Sequence, residues 1–227
     1  MLKQKIFDLL KSHDFEKELD SIAEVPMHKV ISPLFTALCS EDEEIKWHAV
    51  SVMGILVAKS AETDLEGARD ILRRMLWSLN EESGSIGWGM PEAMGEILVR
   101  TEKLAQEFAP ILVSYIRPDG NLLEFELLQR GVLWGIGRLA EIQPQLMQSL
   151  RADRYLLPYL GSRDSSVRGL AAWVLGSIGG EESIPRLASL LQDEAEIKLY
   201  KDRKLKTARV HELANEALAL IKRRGWA

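Results

Sequence analysis

The sequence predicts an all-α fold, a solenoid of about five stacked helical hairpins. Three observations predict it. A ten-residue segment recurs about every forty residues, its apolar positions keep helical spacing in each copy, and a second apolar segment precedes each copy across a polar turn.

The copies run Ile45 to Gly54, Ile86 to Gly95, Leu128 to Gly137 and Val167 to Gly176, with a fifth from Val210 to Ala219. Apolar residues fall nine, five and one before the final small residue and two after it, as in Ile45, Ala49, Met53 and Leu56. Spacings of four, four and three draw one helical face. Glycine inside a helix costs up to about 1 kcal/mol against alanine. Its return at 54, 95, 137 and 176 therefore predicts a close approach by a neighbour.

The upstream partners contain Pro33–Leu38, Ile71–Leu76, Pro110–Ile116, Pro158–Leu160 and Pro185–Leu191. Proline near the start of four of them suits a first helical turn. Polar turns join the pairs, and Ser40-Glu41-Asp42-Glu43 has the spacing of a capping box.

The best copy, Val167-Arg168-Gly169-Leu170-Ala171-Ala172-Trp173-Val174-Leu175-Gly176-Ser177-Ile178, resembles a HEAT repeat of the phycobilisome-lyase type. The resemblance extends over Val30 to Ile221. It implies an α-α superhelix, a HEAT-like or ARM-type solenoid, in one domain over 1–227: an N-terminal helical cap at 1–29 and repeats at 30–221. The stretch Arg73 to Glu96, with Gly120–Glu124 and Arg130–Leu139, is similar to a group of uncharacterised bacterial HEAT-like proteins, which implies no activity. Residues 196–207 interrupt the last repeat. Their alternation about Asp202-Arg203 reads as a small β-hairpin or as a charged loop, and the run from Lys198 to Lys206 holds five basic residues.

Composition removes several function classes. A net charge of −5 argues against nucleic acid, which is held by basic patches. The single cysteine, Cys39, excludes an internal disulfide and fits a reduced, cytoplasmic setting; it reads as a small buried residue at a helix end. Charge arrives too early after Met1 for a signal peptide. The longest apolar run, Ala49 to Ala58, falls short of the roughly 20 residues that span a bilayer.

None of His13, His28, His48 and His211 has metal-ligand spacing to another. The iron-binding deoxyhypusine hydroxylases, also HEAT-like, use several His-Glu pairs, and only His211-Glu212 occurs here. Gly135-Ile136-Gly137-Arg138-Leu139-Ala140 matches a dinucleotide motif but lies within a repeat helix with no strand before it. No catalytic residue, cofactor or metal is expected.

The register does single out one row. Positions seven and three before the glycine and one after it lie off the apolar face. They read Trp47, Ser51, Ile55; Trp88, Glu92, Glu96; Arg130, Trp134, Arg138; Gly169, Trp173, Ser177; and Glu212, Glu216, Leu220. Tryptophan and arginine on an exposed groove are the residues of interface hot spots. With the loop containing Asn80 and Glu82, the row Trp47, Trp88, Glu92, Glu96, Arg130, Trp134, Arg138 and Trp173 is the expected contact surface for a protein partner. The competing reading pairs Glu92 and Glu96 with Arg130 and Arg138, with the tryptophans as core. The expected role is a protein-binding scaffold or assembly factor. The alternative is a DNA-binding protein resembling the alkylpurine DNA glycosylases, which hold damaged duplex with tryptophan, Asp and Arg on HEAT-like repeats.

Overall fold

The computed structural model describes residues 2–23, 25–80 and 87–225, in two compact units, Met1–Ala105 and Gln106–Ala227. In the first unit, α1 (Leu2–Leu10), α2 (Phe15–Glu18) and α3 (Asp20–Ala23) precede the hairpin of α4 (Met27–Leu38) and α5 (Glu43–Ala61). The apolar residues Ile6, Leu9 and Leu10 bury one face of α1, which packs on α4 and α5. Two contacts to His48 of α5 hold this end: Phe15 stacks on its ring with centroids 4.2 Å apart, and its Nδ1 donates to the Leu10 carbonyl at 2.7 Å.

The turn into α5 is capped differently from the expected box. Asp42 is the N-cap residue, and its carboxylate accepts from the amides of Glu44 and Ile45. Ser40 instead accepts from the Asp42 amide. A carboxylate at that end also suits the helix dipole. The prolines differ too: Pro33 and Pro110 lie inside helices that begin earlier, at Met27 and Glu102, while Pro185 does open its helix. Cys39 is exposed, because it is the C-cap residue of α4 and Leu38 takes the core position. The unit continues with α6 (Leu65–Asn80) and α7 (Met90–Leu98), and α7 packs on both α5 and α6.

The division between units falls within α8 (Glu102–Ser114). The second unit then has α9 (Glu126–Ile142), α10 (Pro144–Ser149), α11 (Ala152–Leu156), α12 (Ser165–Ile178), α13 (Ile184–Ala188), β1 (Glu196–Lys201), β2 (Lys204–Arg209) and α14 (Val210–Arg223). Helix α12 is the centre of this unit, packed on α9, α14 and β1. The charged segment of the last repeat is therefore a hairpin. Its antiparallel register runs from Glu196↔Arg209 to Lys201↔Lys204. Asp202 and Arg203 close it with φ of 53° and 61°, the mirror-image turn whose twist matches paired strands.

The five repeat positions fall in five helices: Gly54 in α5, Gly95 in α7, Gly137 in α9, Gly176 in α12 and Ala219 in α14. Two glycines show what the sequence pattern requires. A Cβ on Gly54 would stand 2.8 Å from Glu96 Cβ and 2.9 Å from its carbonyl oxygen, and one on Gly137 would overlap the Trp173 ring. At Gly176 the nearest atoms stay 3.3 Å away.

Gly137→Ala is accordingly expected to destabilise the fold by about 1–3 kcal/mol through overpacking. Gly176→Ala should change it by less than about 0.5 kcal/mol, since helix propensity offsets the contact. Urea unfolding followed by circular dichroism checks both, and equal effects would contradict the packing assigned to Gly137.

Candidate functional site

The second helices deliver the row of polar and aromatic side chains, but not onto an open surface. In the first unit Trp47 is 9% exposed, Glu92 4% and Glu96 1%. Trp88, just before α7, is half-buried. The physical cause is the approach of α7 to α5 at Gly54, which brings the Glu96 backbone against the glycine. Glu92 Oε1 accepts from Lys46 Nζ at 2.6 Å, and Lys46 also stands 5.0 Å from the Trp47 ring. Glu96 is bonded to Arg100, just past the end of α7, at 3.1 Å. The buried Trp88 Nε1 and Glu92 Oε2 have no hydrogen-bond partner among the described residues. Asn80 is exposed at the end of α6, and Glu82 lies outside the described residues.

In the second unit Trp134 is 2% exposed and Trp173 7%. What covers them is the hairpin. Strand β1 lies on α12, and the Ile197 side chain sits beside Gly169, where a Cβ would stand 2.6 Å from its Cδ1. Tyr200 pairs with Leu205 at a position where the ladder turns its backbone groups outward. The Tyr200 carbonyl accepts the Trp134 indole N–H at 2.9 Å, and the two rings lie 6.2 Å apart. Lys201 Nζ stands 2.8 Å from Glu141 Oε1 and 6.0 Å from the Trp173 ring. Arg138 binds Glu141 at 2.7 Å and stands 6.0 Å from the Trp134 ring. Ile197, Leu199 and Tyr200 are all buried, each stabilising the arrangement by about 1.5–3 kcal/mol.

Arg130 reaches Asp164, the N-cap of α12, with Nε 3.1 Å from both carboxylate oxygens. Arg168 makes the next rung of this kind, Nη2 to Asp193 at 2.7 Å. Burial of Asp164 opposes its charged form, but the Arg130 guanidinium and the Val167 and Ser166 amides outweigh it, and the carboxyl is held below its usual value. The carboxylates and guanidiniums of the row thus have cationic and anionic partners inside their own units.

Sequence reasoning named the row but missed Lys46, Arg100, Glu141, Asp164 and Tyr200. For Asp164 a signal exists: it stands twelve before its glycine, as Asp42 does. Lys46 has one too, standing eight before its glycine as Arg168 does, whereas Arg100, Glu141 and Tyr200 lie off the repeated positions. The dinucleotide-like motif, 135–140, is interior to α9. Among the described residues no cluster of three or more His, Cys, Asp or Glu side chains could hold a metal, and no helix is long and apolar enough to cross a membrane.

Two experiments test this electrostatic picture. Lys46→Met leaves the buried Glu92 unpaired and is expected to cost about 3 kcal/mol, most of it recovered in Lys46→Met/Glu92→Gln, by urea unfolding of both variants. For Asp164 the folded-state pKa is depressed, so its stabilising share is present above the ordinary value of 3.8 and is lost as pH falls through the lower folded value. The stability gap between the wild type and Asp164→Asn should therefore close on acidification; a gap that stays constant from neutrality to below that range contradicts the assignment.

Comparisons with known proteins agree with this architecture. Residues 126–178 match the HEAT-like repeat family, and residues 167–193 match the PBS lyase HEAT-like repeat. A protein of Archaeoglobus fulgidus described as uncharacterized is 28% identical over 173 residues, 74% of this chain and 85% of that protein. Among solved structures, an engineered protein matches with TM-score 0.54 and 18% identity over 100% of this chain and 98% of its own. A computationally designed armadillo repeat protein for modular peptide recognition matches with TM-score 0.53 and 19% identity, over 97% of this chain and 100% of its own. A designed armadillo repeat protein in complex with the peptide (KR)4 matches with TM-score 0.52 and 18% identity, over 96% of this chain and 98% of its own. The chain is a mostly helical protein that carries HEAT-like repeats over residues 126–193, with a two-stranded antiparallel hairpin after them.

Proposed function

We propose that this chain is a protein-binding scaffold or assembly factor rather than an enzyme, and that its second helices hold extended segments of a protein partner. One observation carries the reading. Trp134 of α9 already donates to the backbone carbonyl of an extended strand, Tyr200 in β1, while Lys201 of that strand is held by Glu141 and the Trp173 ring. A surface that binds main chain and alternate side chains in this way is built for polypeptide. The designed armadillo protein solved with (KR)4 supports it by analogy of fold, since β1 also presents lysines, at 198 and 201.

In the first unit the proposed contacts are Trp47, Trp88, Glu92 and Glu96, together with Asn80 at the end of α6 and with Glu82, which lies outside the described residues. The unpartnered Trp88 Nε1 and Glu92 Oε2 match a backbone carbonyl and a basic side chain of such a segment. In the second unit they are Arg130, Trp134, Arg138 and Trp173. The acidic balance, −5, suits a basic protein segment better than nucleic acid.

Selection of peptides from a display library on the intact protein tests this. Basic extended peptides should emerge, and Trp88→Ala and Glu141→Gln should each weaken them about tenfold, a loss near 1.4 kcal/mol. A folded protein that selects no peptide, or variants that bind unchanged, would overturn the reading. Binding of duplex DNA that falls steeply with salt would support the glycosylase-type alternative instead. The proposal also takes residues 1–227 as one domain, for which thermal unfolding should show one transition seen alike by circular dichroism and tryptophan fluorescence; two separate transitions would overturn it.

A further inference from the structure

We infer that the β1–β2 hairpin is an internal ligand of the α9–α12 surface, competing with a partner segment of the same pattern: apolar, basic, apolar, aromatic, basic, as in Ile197-Lys198-Leu199-Tyr200-Lys201. The inference rests on the reading of the second helices as a polypeptide-binding row, and it names the segment the second unit accepts.

Three features carry it. The first is the division of labour between the strands. Every contact described above to α9 and α12 comes from β1: the Ile197 side chain beside Gly169, the Tyr200 carbonyl on Trp134, and Lys201 on Glu141 and Trp173. On β2, Lys204, Lys206, Thr207 and Arg209 are exposed, and Leu205 and Ala208 are half-buried. Half of the hairpin holds the surface and the other half shields the first from water.

The second is that the hairpin is closed locally. Six cross-strand pairs and a two-residue turn define it without help from the helices. The third is its base. The Val210 amide donates to the Ala195 carbonyl, the His211 amide to the Asp193 carbonyl, and the Arg209 amide to Glu212. These bonds pin the two ends together at the start of α14, so the hairpin can leave α9 and α12 as one body without unwinding α12 or α14. Tethering at that base keeps its effective concentration near millimolar, which excludes weaker competitors and admits a partner only when its own segment fits better.

The test uses the full chain with residues 197–208 replaced by a short Gly-Ser link, and a synthetic peptide of residues 195–210. The peptide should bind the hairpin-deleted protein at least tenfold more tightly than the intact one, with a change in tryptophan emission. Trp134→Phe in the deleted background should weaken it severalfold, because the indole donor to the Tyr200 carbonyl is lost. Equal binding to both proteins, or none to a deleted protein that keeps its helical circular dichroism, overturns the inference. If the deleted protein does not fold, hydrogen exchange on the intact chain decides. Hairpin amides exchanging well ahead of those of α12, and further accelerated by Tyr200→Ala with α12 unchanged, support the inference; hairpin amides exchanging only with α12 overturn it. Library peptides bound by the intact protein and indifferent to the hairpin would sink this inference and leave the scaffold reading standing.

Discussion

The packing of α9 against α12 depends on an empty volume. Gly137 has no side chain, and the Trp173 ring fills the space that one would occupy. With the indole seated there, α12 lies close enough to α9 for Arg130 to reach the N-cap carboxylate Asp164. The same logic works between α5 and α7, where Gly54 admits the backbone at Glu96 and draws two carboxylates into the interior. Those carboxylates are tolerable only because Lys46 and Arg100 come with them, since a charge out of water needs a close counter-charge.

Burial and the proposed recognition therefore fall on the same residues. An indole that lies under a strand cannot meet solvent, yet its N–H must still find an acceptor. In the second unit the Tyr200 carbonyl supplies it. The hairpin thereby turns a polar groove into a closed layer, with Glu141 taking up the charge of both Lys201 and Arg138. On α14 no strand among the described residues covers the row: Glu212 and Glu216 are exposed, as is Leu220 at 41%.

Most of the fold was legible because it is periodic. A glycine every forty residues and an apolar face around it place Gly54, Gly95, Gly137, Gly176 and Ala219 in five helices without any tertiary information. Local capping was less legible: Ser40 and Glu43 have the spacing of a box, but the shorter Asp42 carboxylate reaches the first amides directly. The positions of the row were legible in the sequence, but their burial was not. Positions off the apolar face were expected to meet water, whereas Trp134 meets Tyr200 from 66 residues along the chain. Non-local pairing of that kind leaves no mark in the spacing of either segment. The ion pairs show the same limit, because Lys46 and Glu92 sit at different places within their repeats.

The position of Cys39 has a practical consequence. It is the sole thiol of the chain, it is exposed, and its Sγ donates to the Trp88 carbonyl at 3.8 Å. Desolvation, with the Glu92 carboxylate, outweighs the pull of Lys46 and holds the thiol above its usual pKa, so thiolate is scarce at neutrality and grows as the solution is made alkaline. A fluorophore coupled there under mildly basic conditions would report on the surroundings of Trp88 without any engineered cysteine.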